Sequence, residues 1–284
     1  MNSTITKIKL AVILNIMTTI SASNSKHPII FQLSPARCGS TALLRSFSRN
    51  DFKVLNEPML KPFLLNRGAD KAAFRVATQT SFTDVKNTIL SMQLESPVFI
   101  KDMIFFSYDW LSSENKLLAD PSVKFILMVR HPYDSMMSFY KKVGSSLSPI
   151  QSNGYKQMWD LYQLLKNTIT PDRYTVVFAE ELFSKPEETL KQVYNHLELP
   201  FDTKVLSWDA KDDSFDGSLW MDPKRTEQFH FWHDDAAKSS HFKPLNSAPH
   251  TFECVKDEDK ALIKELYNEA LIYYERLKEA IDKP

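Results

Sequence analysis

From His27 onward, short apolar runs alternate with segments of helical periodicity, and this rhythm predicts a parallel β-sheet covered by helices. Strands are expected at Ile29–Leu33, Val98–Lys101, Lys124–Val129 and Tyr174–Phe178, each a compact apolar run that enters a polar or proline-containing turn. Helices are expected at Ser40–Arg49, Thr83–Leu94, Pro132–Lys142, Gly154–Thr168, Pro186–Leu197 and Asp257–Ile281; Pro132 and Pro186 occupy first-turn positions that tolerate proline. The fold class is therefore α/β. Residues 27–284 read as one domain, within which residues 207–249, rich in Trp, His, Asp and Phe without a clean period, form an irregular lid.

Residues 1–26 stand apart. Lys7 and Lys9 precede an apolar run from Leu10 to Ile20, and Ser21, Ala22 and Ser23 follow, the order of a signal peptide or of a packed or frayed amphipathic helix. The run falls short of the roughly 20 apolar residues that a spanning helix needs, and it contains Asn15, Thr18 and Thr19. No integral membrane span is expected. The expected compartment is cytoplasmic, with the secretory pathway as the alternative.

Glycine is scarce enough to exclude whole enzyme classes. The five glycines, at 39, 68, 144, 154 and 217, never lie closer than ten residues apart. The dinucleotide fingerprint, the ATP-type phosphate loop, the kinase glycine loop and the α/β-hydrolase nucleophile elbow each need two or more within a short span. Two cysteines, Cys38 and Cys254, make no disulfide framework, and no paired-cysteine or H-E-x-x-H metal motif occurs. Thirty-five basic and thirty-five acidic residues leave no excess charge for a polynucleotide, so no nucleic-acid partner is expected.

The segment SPARCGSTALLRSF, residues 34–47, follows the first expected strand and opens the first expected helix. A strand that turns through glycine into a helix aims backbone N–H groups and the positive helix end at one spot, which is an anion site. Arg37, Cys38, Gly39, Ser40 and Thr41 form the candidate loop: Gly39 permits close approach, Ser40 and Thr41 offer hydroxyls, and Arg37 can place two N–H groups on an anionic oxygen. A plain strand–turn–helix junction would carry similar letters. The ATP-type lysine before the Ser/Thr pair is missing.

At this loop the sequence resembles the sulfotransferases that use 3′-phosphoadenosine 5′-phosphosulfate (PAPS), whose first signature is a strand, a basic residue two places before glycine, and two hydroxyl residues. A second segment, FILMVRHPYDSMMSFY, extends the resemblance, which implies that Arg130 and Ser138 hold the nucleotide's 3′-phosphate. Tyrosylprotein and bacterial carbohydrate sulfotransferases place a general-base glutamate at the spacing of Glu57, eighteen residues after Gly39. The resemblance further implies that Lys101 contacts the sulfonate or bridging oxygen. YTVVFAEELFSKPEETLKQVYNHLELPFD matches a scaffold segment of the family, where Glu180 and Glu181 are expected to be structural.

The resemblance spans Pro28 to Asp202 and implies a P-loop NTPase-like sulfotransferase fold and an enzyme that moves a sulfuryl group from PAPS to an acceptor hydroxyl or amine. Glu57, Arg37 and Lys101 are the implied catalytic residues, and no metal is expected. Three departures matter. Met103 and Ile104 stand where aryl sulfotransferases carry a histidine base, Ala42 replaces an aromatic after the Ser/Thr pair, and the glycine-rich C-terminal nucleotide motif is absent. A small-molecule kinase, another phosphate-handling P-loop enzyme, or a nucleotide-binding protein without catalysis are the alternatives. His230, His233 and His241 with Asp234 and Asp235 are read as pocket or packing residues rather than a metal cluster. The acceptor, whether carbohydrate, peptide or small molecule, stays open.

Overall fold

The computed structural model describes residues 26–74, 78–144, 150–210, 236, 238–245 and 250–282. Five strands, β1 (Ile29–Ser34), β2 (Lys53–Asn56), β3 (Val98–Met103), β4 (Val123–Val129) and β5 (Tyr174–Phe178), form one sheet in the order β2-β3-β1-β4-β5. Every pairing is parallel, as the alternating sequence pattern requires. The expectation of an α/β fold with a helix-flanked parallel sheet is met.

The helices are α1 (Ser40–Ser48), α2 (Leu60–Asn66), α3 (Phe82–Gln93), α4 (Ile104–Ser113), α5 (Asn115–Ala119), α6 (Pro132–Val143), α7 (Ile150–Thr168), α8 (Ala179–Ser184), α9 (Pro186–His196) and α10 (Asp257–Asp282). Strand alternation divides the core between the two sheet faces. Ile29, Phe31, Val98, Ile100, Phe125 and Leu127 pack on one side with Met158 and Leu161 of α7 and Leu266 of α10. Ile30, Phe99, Ile126 and Met128 pack on the other with Leu43, Leu44 and Phe47 of α1 and Leu190 and Val193 of α9. Phe47 stacks on Phe99 at 4.1 Å and on Tyr194 at 4.9 Å, fixing α1 between the sheet and α9.

Two differences from the sequence pattern shape the site. The four-residue edge strand β2 is too short to show a period, and α4 starts directly at the end of β3 with no intervening loop. The N-terminal residues 1–25 lie outside the described residues, as do 211–235 of the lid. What is described of the lid is docked: Ser207 pairs with His241 in an isolated antiparallel bridge. Among the described residues no helix is long and apolar enough to cross a membrane.

Candidate active site

The chain leaves β1 at Ser34 and reaches α1 through two left-handed residues, Arg37 (φ 63°) and Gly39 (φ 83°). Gly39 is required twice. Its φ strains any side chain, and a Cβ there would lie 2.6 Å from the ring of Phe183. Arg37 has no such exemption, and a non-glycine residue held at this φ is strain of the kind that collects at functional sites.

This loop is tied to the turn after β4. Arg37 Nε donates to Ser138 Oγ (3.1 Å), Arg130 Nη1 donates to the Arg37 carbonyl (3.3 Å), and Ser135 Oγ donates to the Ala36 carbonyl (2.5 Å). The turn itself is braced from behind, by Tyr155, whose hydroxyl donates to the Arg130 carbonyl (2.8 Å), and by Glu180, whose Oε1 accepts the His131 N–H (2.7 Å). Arg130 Nε has no hydrogen-bond partner among the described residues. Two arginines separated by ninety-three residues are thereby built into one wall.

The neighbouring strands supply the opposite charge. Glu57, at φ 54° just past β2, turns its N–H onto the Lys101 carbonyl (2.6 Å), and its carboxylate pairs with Lys101 Nζ. Glu57 is 6% exposed and Lys101 0%, so both charges depend on each other for solvation. In register, Lys101 lies between Asn56 and Gln32, whose buried amides have no hydrogen-bond partner among the described residues. Asp102 points to the other face, accepting from Met59 N–H (3.0 Å) and Met103 N–H (2.8 Å). Burial, and secondly the Glu57 charge, push its carboxyl up to about 8.

A cavity of about 640 Å³ joins these parts. Arg37, Gly39, Ser40, Thr41, Glu57, Lys101, Arg130 and Ser138 all line it. Cys38 does not. Its side chain is fully buried with Leu43 and Met128, and burial pushes the thiol up to about 12, so only its backbone can serve the loop. The sequence did not single out Phe183, the apolar residues of α2 and α4, or Ser239, Lys243 and Leu245 of the lid, which also line the cavity. Leu60 and Leu64, one helical turn apart, were the visible signal for α2; the lid residues left none.

The lid is held by Arg45 of α1, 1% exposed, which donates to the carbonyls of Ala236 (2.5 Å), Ser239 (3.0 Å) and Asp209 (2.6 Å). Of the imagined metal cluster, only His241 is described, and it lines the cavity; His230, His233, Asp234 and Asp235 lie outside the described residues. Elsewhere His131, Asp134 and His250 bring ligand atoms within 4.8 Å of one another. The two imidazoles stack at 4.2 Å and 17°, which sets their in-plane lone pairs in separate planes and describes ring packing rather than convergence on an ion.

Residues 49–203 match the model of the sulfotransferase family. The chain is similar to two Arabidopsis thaliana proteins called branched-chain-amino-acid aminotransferase-like protein 2 and 1, at 29% and 27% identity over 237 residues. That alignment takes in 79% of this chain but only 38% of the length of those relatives. Among solved structures it is similar to the sulfotransferase domain from the curacin biosynthetic pathway, at 19% identity and TM-score 0.47 over 85% of this chain and 98% of that one. A mouse sulfotransferase complexed with PAP aligns over 87% and 85% of the two chains, at 11% identity and TM-score 0.43. With more than half of its residues inside the family match, on a parallel sheet whose strand ends carry the loop, the ion pair and the cavity, the chain belongs to the sulfotransferase family.

Proposed function

We propose that residues 27–284 act as one domain that transfers the sulfuryl group of PAPS to an acceptor hydroxyl. The observation that carries this reading is the joined wall: the Arg37 loop and the Arg130 turn, hydrogen-bonded to each other, face the same cavity as the Glu57–Lys101 pair. The donor set suits the nucleotide. Loop N–H groups, Ser40 and Thr41 would hold the 5′-phosphosulfate, and Arg130, whose Nε finds no partner among the described residues, and Ser138 would hold the 3′-phosphate. The cavity volume falls in the range of about 300–1,000 Å³ common to ligand sites.

In this reading Glu57 takes the acceptor proton while the acceptor oxygen forms a bond to sulfur and the bridging bond from sulfur to the 5′-phosphate oxygen breaks. The ion pair with Lys101 fixes the place of the Glu57 carboxylate on the cavity wall. Negative charge grows on the leaving oxygen, where Lys101, Arg37 and the loop N–H groups stand ready. The test is calorimetric binding of 3′,5′-adenosine bisphosphate against ATP, with turnover measured using PAPS. Preference for the bisphosphate, its loss in Arg130→Ala, and transfer that fails in Glu57→Gln with binding retained support the reading. Equal affinity for ATP, or parental turnover in Glu57→Gln, overturns it.

A further inference from the structure

The cavity lining mixes two kinds of side chain. Among its lid residues, His241 and Lys243 flank Phe242 in the sequence; the Phe242 ring lies 5.6 Å from Phe183, and Phe183 sits directly against Gly39. Leu60, Leu64, Met103, Phe105, Phe106 and Phe139 also line the cavity, and none carries a charge or a hydrogen-bonding side chain apart from the weakly polar methionine sulfur.

Their attachment to the reacting pair is direct. The Leu60 N–H donates to the Glu57 carbonyl (3.1 Å), so α2 starts on the proposed base and carries Leu64 one turn further. Met103 follows Lys101 by two positions on β3, and Phe105 and Phe106, in edge contact at 4.5 Å, open α4. Phe139 adjoins Ser138 on α6. All six are neither fully buried nor fully exposed, apolar surface left open beside a reacting centre.

We infer that the acceptor is a small alcohol or phenol with a predominantly apolar body and a single hydroxyl that reaches Glu57. This rests on the sulfuryl-transfer reading and names its substrate class. A sugar would bring several hydroxyls to a wall whose described side chains cannot bond them, and an acidic peptide would bring charge to it. An apolar alcohol buries its body on the ring array and offers one polar group, where the proton goes to Glu57 and the sulfuryl group to its oxygen.

The experiment sets octanol and naphthol against chitobiose and an acidic tyrosine-containing peptide, with PAPS as donor and radiolabelled sulfate transfer as readout. Bisphosphate-induced thermal shift is measured in parallel. The expected result is kcat/KM for the better apolar acceptor about 100-fold above the sugar and the peptide. Leu64→Gln and, independently, Phe106→Gln should raise the KM for naphthol about tenfold while the KM for PAPS stays at the parental value. If the bisphosphate binds and the sugar or peptide is preferred, or no apolar alcohol is sulfated, the acceptor assignment is wrong and the donor reading stands. If the bisphosphate gives no shift and nothing is sulfated from PAPS, the donor reading itself fails.

Discussion

Glu57 and Lys101 are joined twice, by a backbone hydrogen bond of 2.6 Å and by a buried side-chain ion pair, across the ends of two neighbouring parallel strands. Removing one partner of such a pair strands the other charge, at a cost of roughly 3–5 kcal/mol, whereas removing both costs much less. Lys101→Met should therefore unfold at markedly lower denaturant than the parent, and Lys101→Met/Glu57→Gln should recover most of the loss. Additive losses in the double variant, read from urea titrations, would show that the two side chains are not coupled.

Gly39 carries two separable constraints. A left-handed φ costs an L-residue about 1–2 kcal/mol, and the Phe183 ring occupies the space a Cβ would take. Gly39→Ala should lose more than about 2 kcal/mol of stability. Adding Phe183→Leu should return the steric part and leave the backbone part. Full recovery in the double variant would mean that φ contributes nothing.

Arg45 fastens three lid carbonyls to the helix behind the phosphate loop, with its guanidinium carbon 5.6 Å from the Trp208 ring. Hydrogen bonds from a charged donor contribute about 1.5–3 kcal/mol each. Arg45→Met keeps the apolar stem and removes the donors. Amide exchange at Trp208 and Ser239, both described and both bonded within the lid, should accelerate at least tenfold, a change of about 1.4 kcal/mol. Unchanged protection there would assign Arg45 to packing alone.

Asp102 gives stability a pH signature. With its carboxyl raised from 3.8 to about 8, the native protein keeps a proton that the unfolded chain releases between those values. Its contribution is fully present below the lower value and is lost as pH rises through the upper one. Asp102→Asn cannot titrate, so it should abolish that part of the slope and differ from the parent mainly by a constant offset at low pH and a progressively more favourable one towards pH 8. Parallel stability curves for parent and variant would contradict this.

What was legible in the sequence was local. The run of Ile29 to Leu33, the glycine at 39 and the helix pattern behind it place a loop, a strand and a helix within twenty residues, and the structure has each. The spacing from Gly39 to Glu57 and the position of Lys101 at a strand end also point to residues that the cavity brings together. The direction of the Cys38 side chain was not legible, because it depends on which way the five-residue connection from Ser34 to Ser40 rotates. Nor was β2, whose Lys53 and Val54 are exposed or half-buried at a sheet edge and show no apolar run. Contacts such as Arg45 with Ala236 join residues 191 positions apart, and no period or motif in either segment encodes them.

The strand order sets a timetable for synthesis. Ile29 lies between Val98 and Val123, so the first of these five strands to be translated is the middle of their sheet and lacks its second neighbour for 94 further residues. At about 5–20 residues per second, the apolar stretch from Ile29 to Leu33 waits on the order of 5–20 s with at least one edge bare. Those seconds, before the Arg130 turn arrives to clasp the loop, are when a nascent chain of this topology is most in need of a chaperone.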